Sequence, residues 1–436
     1  MKYLLPRTRV VDWLILWVWM SIVGCSTIPQ SLLRGQSVKI PFRSSTALPF
    51  NREVIFNFDI DQRYYTDHFT VEEAIDTEVA KGGLTGGIHF VSGHVKQAHS
   101  FIVLVRSSAS AEDVLDDIVT TATSHELRVS NSEHCAGETR DAKVDVSIVI
   151  IVRPHSLQFG GYGTTITSNS LDIKLWPGLW FETYHMKLSS HSGSIISSEL
   201  QSFTAHSIHV ETTSGSVTGN WSLPGSITLI TKNGSIDIDL LPKQWSSGPT
   251  TGGDLTARST TGNIDIRMPT VQEFLSLRNG TTDITSILGH IRATLMHSAV
   301  TNVRTQVGSI NITLVPYWAF PQWGGIQHNY ITTEIGLGSM WVDVLPAIVD
   351  SYYEILPLCF TNSTHRVDGG YMNLKYPRDW CGRAHGSISY GGTLNVSGED
   401  FEVIEQDSRH VRLQRPPYGS NLYFEVEGGT AELLMK

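Results

Sequence analysis

Four aspartates, Asp237, Asp239, Asp265 and Asp343, are the residues whose type and spacing come nearest to catalysis. They lie in Ile236-Asp237-Ile238-Asp239-Leu240, Ile264-Asp265-Ile266-Arg267 and Met340-Trp341-Val342-Asp343-Val344. Alternation with apolar residues turns them outward from strands. Two carboxylates about 5–10 Å apart on one face can cleave a glycosidic bond, one as acid and one as base or nucleophile. Clustered carboxylates can also hold calcium. If the first two stretches stack in register, Asp237 lies beside Asp265 and Asp239 beside Arg267. The second pair is then an ion pair worth well under about 1 kcal/mol in solvent, and solvated edge carboxylates are the plainer reading of the group.

Other constellations are absent from the sequence. Gly289-His290 echoes the histidine loop of β-helical galacturonases, but their Asn-Thr-Asp and adjacent aspartate pair do not precede it. Of 17 histidines, His206 and His209 are three apart, which puts them on opposite faces of an alternating strand; His365 and His385 read as loop residues. There is no Gly-x-Ser-x-Gly, no phosphate loop and no Cys/His pair at a telling spacing. No catalytic residue, metal ligand or cofactor is therefore expected. Trp176, Trp180, Trp221, Trp245, Trp318, Trp323 and Trp341 either cover corners of the fold or offer exposed rings to a ligand; Trp341 is on the wet side of its strand. A net charge of −10 with no Lys/Arg-rich run argues against a nucleic-acid partner.

The elements that must position these residues repeat. Ser226-Ile227-Thr228-Leu229-Ile230-Thr231-Lys232-Asn233-Gly234-Ser235-Ile236-Asp237-Ile238-Asp239-Leu240-Leu241-Pro242 reads strand, glycine, strand, proline. Leu255–Pro269, Asn302–Pro316 and Tyr330–Pro346 rewrite it, with weaker copies at Gly193, Gly215 and Gly280. The glycine suggests positive φ at a bend and the proline ends a ladder. A unit of roughly 20–30 residues that buries its apolar face only against its neighbours marks a solenoid. Asn233-Gly234 and Asn279-Gly280 alone would suit hairpins, but Ser214-Gly215, Val307-Gly308 and Leu337-Gly338 occupy the same place and suit corners. The expected fold is all-β, a right-handed β-solenoid or β-helix-like array.

Residues 1–26 read as a targeting segment: Lys2, Arg7 and Arg9 flank the apolar run Trp13–Val23. A cleaved signal peptide comes first, an uncleaved signal anchor second, and a lipoprotein box with lipidated Cys25 third. Each places the rest outside the cytoplasm and leaves membrane anchoring through this segment open. Six sequons, at Asn220, Asn233, Asn279, Asn311, Asn362 and Asn395, offer glycosylation sites. Of Cys25, Cys135, Cys359 and Cys381, the pair Cys359–Cys381 suits a disulfide, with a Cys135 bridge to either as the alternative.

Residues 27–50 form a linker and 51–154 a β-rich subdomain with one short helix at 111–119, Ser110 as its N-cap. Residues 155–346 carry the solenoid repeats. Residues 347–436 form a loop-rich segment, irregular over 347–384, followed by capping strands. The recurring Ser/Thr-Gly-Ser-Ile/Val bends from Leu171 to Pro346 resemble the putative-adhesin domain family, surface β-solenoid proteins of bacteria and fungi. So do Tyr376-Pro377-Arg378-Asp379-Trp380, Gly398–Ile404 and Ser420–Phe424, the fungal members coming nearest. The resemblance implies a noncatalytic exported or membrane-anchored protein at the cell surface, binding a carbohydrate or protein ligand, and transfers no functional residue. A polysaccharide-active β-helix lyase or hydrolase is the alternative.

Overall fold

The computed structural model describes residues 48–60, 68–76, 82–132, 141–154, 163–179, 181–198, 203–223, 225–242, 253–269, 280–297, 299–318, 329–349, 361–416 and 419–436. The targeting segment, Cys25, Cys135, Cys359 and Asn279 lie outside these residues.

The alternating stretches form strands that stack in parallel, each on the corresponding strand of the next repeat. One ladder runs through His68–Ala74, Gly163–Ser168, Phe181–Ser190, Phe203–Thr212, Ser226–Thr231 and Asp254–Ser259. A second runs through Leu84–Ser92, Asp172–Leu175, Ile195–Ser197, Val217–Leu223, Ile236–Pro242 and Ile264–Arg267. Ser226–Thr231 and Ile236–Pro242 pair with neighbouring repeats and not with each other, so Asn233-Gly234 is a corner and not a hairpin turn. From Thr281–His297 onward one long strand serves both ladders. Val300–Trp318, Asn329–Val344, Thr361–Tyr376 and Ser420–Met435 continue the stack. Residues 361–376, read from sequence as irregular, are therefore a further rung; their alternation is masked by Gly369-Gly370 at the corner. Pro316 lies inside its strand rather than ending it.

Ile236, Ile264, Ile291 and Ile310 stand opposite one another in consecutive rungs, all buried in one core. Stacking, not backbone handedness, explains most corner glycines. A Cβ on Gly234 would lie 1.8 Å from the carbonyl oxygen of Gly215, and one on Gly262 1.8 Å from that of Gly234. At the described repeat corners the positive φ expected from sequence occurs late in the stack, at Gly308 (150°), Gly338 (143°), Gly370 (137°) and Gly429 (142°).

Three residues before each early corner glycine stands a buried hydroxyl. Ser190, Thr212, Thr231 and Ser259 accept the N–H of Gly193, Gly215, Gly234 and Gly262 at 2.8–3.0 Å. Each donates to a carbonyl of the preceding rung at 3.1–3.3 Å. Backbone groups at a dry corner thus find partners without a turn of their own. Ser286 and Thr305 extend the row; Ile335, Val367 and Val426 replace it in the last rungs.

Among the described residues, antiparallel pairing occurs only at the two ends. Phe50–Phe58, Phe101–Ala109 and Val144–Val152 pair at one end, with Ile118–Ala122 on Glu126–Asn131. Gly382–Tyr390, His410–Arg415 and Glu402–Gln406 pair at the other. The one helix among the described residues is shorter than expected, Glu112–Asp116, and its N-cap is Ala111. Ser110 Oγ accepts the N–H of Lys143 instead, and Ile118-Val119 leave the helix as strand.

Candidate functional site

The outward row of the second ladder gathers the aspartates. Asp237 faces Asp265 and Asp239 faces Arg267 in register, as the spacing predicts. Arg267 donates to all three carboxylates: Asp239 at 2.5 Å, Asp237 at 2.7 Å and Asp265 at 3.1 Å. The bonds to Asp239 and Asp237 hold the guanidinium more firmly protonated than usual. One guanidinium is therefore the shared partner of all three carboxyl groups. Asp343 is three rungs beyond Arg267, through Thr294 and Thr313, or about 14 Å at 4.8 Å per strand. His290 hydrogen-bonds Ser309 at 2.8 Å.

The histidines stand differently from expectation. Tyr184 and His185 both face solvent between buried Thr183 and Met186, and His206 and Ser207 both leave the core between Ala205 and Ile208. This break in alternation undoes the opposite-face reading of His206 and His209. The Tyr184 ring stacks on His206 at 4.7 Å, and His185 bonds Ser207. Burial, then the nearby His206 and His68, lower the pKa of His185. No group of three or more His, Cys, Asp or Glu suited to a metal occurs among the described residues.

His365 is a core residue of a strand, not a loop residue. Its ring bonds Thr333 Oγ1 at 2.7 Å and the Tyr376 hydroxyl at 2.8 Å. Burial pushes it down to about 3 and raises the Tyr376 phenol. His297, also fully buried, bonds Thr301 at 2.8 Å, and burial pushes it down to about 4. Glu73 was missed as well. It is 1% exposed and starts the corner row, accepting Ser168 Oγ at 2.7 Å and the N–H groups of Ile75, Asn169 and Ser170. Its signal was a charge at an inward position of Phe69-Thr70-Val71-Glu72-Glu73.

Two surface features remain. At the corner, Leu288, Val307 and Leu337 align in register and are 49%, 44% and 59% exposed. Beside this ridge runs a groove of about 430 Å³ lined by Arg304, Gln306, Glu334, Arg366 and Asp368 among others. Arg304 pairs with Glu334, and Arg366 with Asp368 and Glu427. On the second ladder Trp341 is 41% exposed and meets Tyr371 at 6.0 Å between ring centres. Trp221 is buried, and Trp176 donates to His89. Trp180, Trp245, Trp323 and the Trp318 side chain lie outside the described residues. Asn233, Asn311 and Asn395 are exposed, and Asn220 and Asn362 half-buried. Cys381 is buried and disulfide-bonded; its expected partner Cys359 is outside the described residues.

No family model matches the chain, and no curated protein does. Among solved structures it is similar to a protein of Bacteroides fragilis described as a putative adhesin, at 10% identity and TM-score 0.30, over 68% of this chain and 95% of that one. It is similar to a putative cell adhesion protein of Clostridium sporogenes at 8% identity and TM-score 0.18, over 89% and 100%. A putative lipid binding protein of Parabacteroides distasonis follows at 8% identity and TM-score 0.23, over 69% and 95%. At these scores the likenesses assign nothing to this chain. All three are bacterial and lend no support to the fungal affinity expected from sequence.

Proposed function

We propose that the chain is a noncatalytic solenoid displayed at the cell surface, which binds a protein ligand along the corner ridge and its groove. The observation that carries this reading is the aligned, exposed row Leu288, Val307 and Leu337 beside fixed charge pairs of both signs. An aliphatic row of this kind suits apolar side chains of a polypeptide, and the flanking charges give orientation. It offers no aromatic plane to a sugar, which favours protein over carbohydrate. The three aspartates gathered on Arg267 support the noncatalytic reading. The polysaccharide-active alternative rests on Asp237 and Asp265 being neighbours. Labelled protein is applied to intact cells and to a glycan array, beside a hydrolase and lyase screen. Protease-sensitive cell binding that Leu337→Asp abolishes is expected. Glycan-array binding indifferent to Leu337→Asp, or a polysaccharide-cleaving activity lost in Asp237→Ala, would overturn the proposal.

A further inference from the structure

Trp341 is a large aromatic side chain left 41% exposed on the outward face of its rung, where neither the core nor an ion pair uses it. Its neighbours in register are Asn311 on the preceding rung and Asn373 on the following one. On the following side the surface is closed. Tyr371 donates to Glu432 at 2.5 Å, and Asn373 donates to the Tyr371 hydroxyl at 2.9 Å and to Glu432 at 3.0 Å. This network fixes the Tyr371 ring that props the indole. On the preceding side stands Asn311, exposed, in the sequon Asn311-Ile312-Thr313. Adjacent strands are about 4.8 Å apart, so the first sugar of a glycan on Asn311 Nδ2 reaches the indole.

We propose that Asn311 carries an N-linked glycan whose first N-acetylhexosamine stacks on Trp341. The inference rests on the proposed export. The donor is a polyprenyl-diphosphate-linked oligosaccharide: Asn311 Nδ2 attacks the anomeric carbon and loses a proton, the C–O bond to the diphosphate breaks, and the lipid diphosphate leaves. Aromatic faces attract the C–H edges of a pyranose and exclude water from them. A second site repeats the arrangement. Asn362, in another sequon, stands in register beside Tyr330, which is 49% exposed. Asn362 is half-buried and its amide oxygen accepts from Asn421 at 2.9 Å, whereas Asn311 is exposed, so Asn311 is the more accessible of the two.

The test secretes the full chain from a eukaryotic host and maps sugar occupancy by mass spectrometry. The expected result is occupancy at Asn311, upfield ring-current shifts of the first sugar's protons, and slow endoglycosidase release. In Trp341→Ala the shifts vanish and release accelerates severalfold, while circular dichroism is unchanged; Trp341→Phe retains part of both effects. An exported chain with sugar on other sequons but none on Asn311 would overturn the proposal alone. So would an occupied Asn311 whose sugar is indifferent to Trp341→Ala. A chain retained in the cytosol without any sugar would overturn the export reading as well.

Discussion

Mild acid should weaken this fold through two interior histidines. His297 and His365 sit at about 4 and about 3 in the folded chain because burial disfavours the imidazolium. In the unfolded chain both return to about 6.5. The folded values are the lower ones, so below pH 6.5 the unfolded chain binds more protons and stability falls, levelling off once the pH drops below the folded values. Between pH 7 and pH 5 linkage gives about 2 kcal/mol for each histidine, about 4 for the pair. The ordinary carboxylate range, near 4, lies below that window; Asp379, which burial raises, is common to wild type and variants and cancels in their comparison. The measurement is the urea midpoint, followed by tryptophan fluorescence at pH 7 and pH 5, for wild type, His365→Gln and His297→Gln. Glutamine lowers stability at both pH values, but the difference between them should shrink by about 2 kcal/mol in each variant. The reasoning is refuted if both variants lose as much stability between pH 7 and pH 5 as wild type does.

Gly234→Ala forces a Cβ against the Gly215 carbonyl; the rungs must separate, at a cost of about 1–3 kcal/mol or more. Thermal melting should show this loss, with the exposed neighbour variant Lys232→Ala within about 0.5 kcal/mol of wild type. Glu73→Gln places an amide donor among four groups that all donate, and should cost about 1–3 kcal/mol. Hydrogen exchange should rise first at Ile75, Asn169 and Ser170, and unchanged protection there would count against the assigned network.

The repeat was legible because alternation and corner spacing are local. Ile236, Ile264 and Ile310 could be assigned to one interior, and Asp237 to a place beside Asp265, from counting alone. What escaped was contact between rungs. Gly234 is required by a carbonyl one rung away, so the sequence offered a dihedral explanation where a steric one holds. Thr231 and Ser259 looked like ordinary polar residues in strands, although their recurrence three positions before glycine was present to be read. Arg267 meeting three carboxylates at once, and Leu288, Val307 and Leu337 forming a ridge, depend on register across repeats of unequal length. The pairing of Asn311 with Trp341 likewise joins residues 30 positions apart.

The buried hydroxyls have an orientation. From Ser190 to Thr305 every O–H points back toward the previous rung, so their dipoles add along the stack as peptide dipoles add along a helix. The positive pole emerges at Ser168, where Glu73 receives it. The array accordingly has a head and a tail that are chemically unlike: an anion belongs at one and hydrocarbon, from Ile335 onward, closes the other. A rung carrying Ser or Thr three residues ahead of its glycine could be spliced in anywhere between them, but only facing the same way.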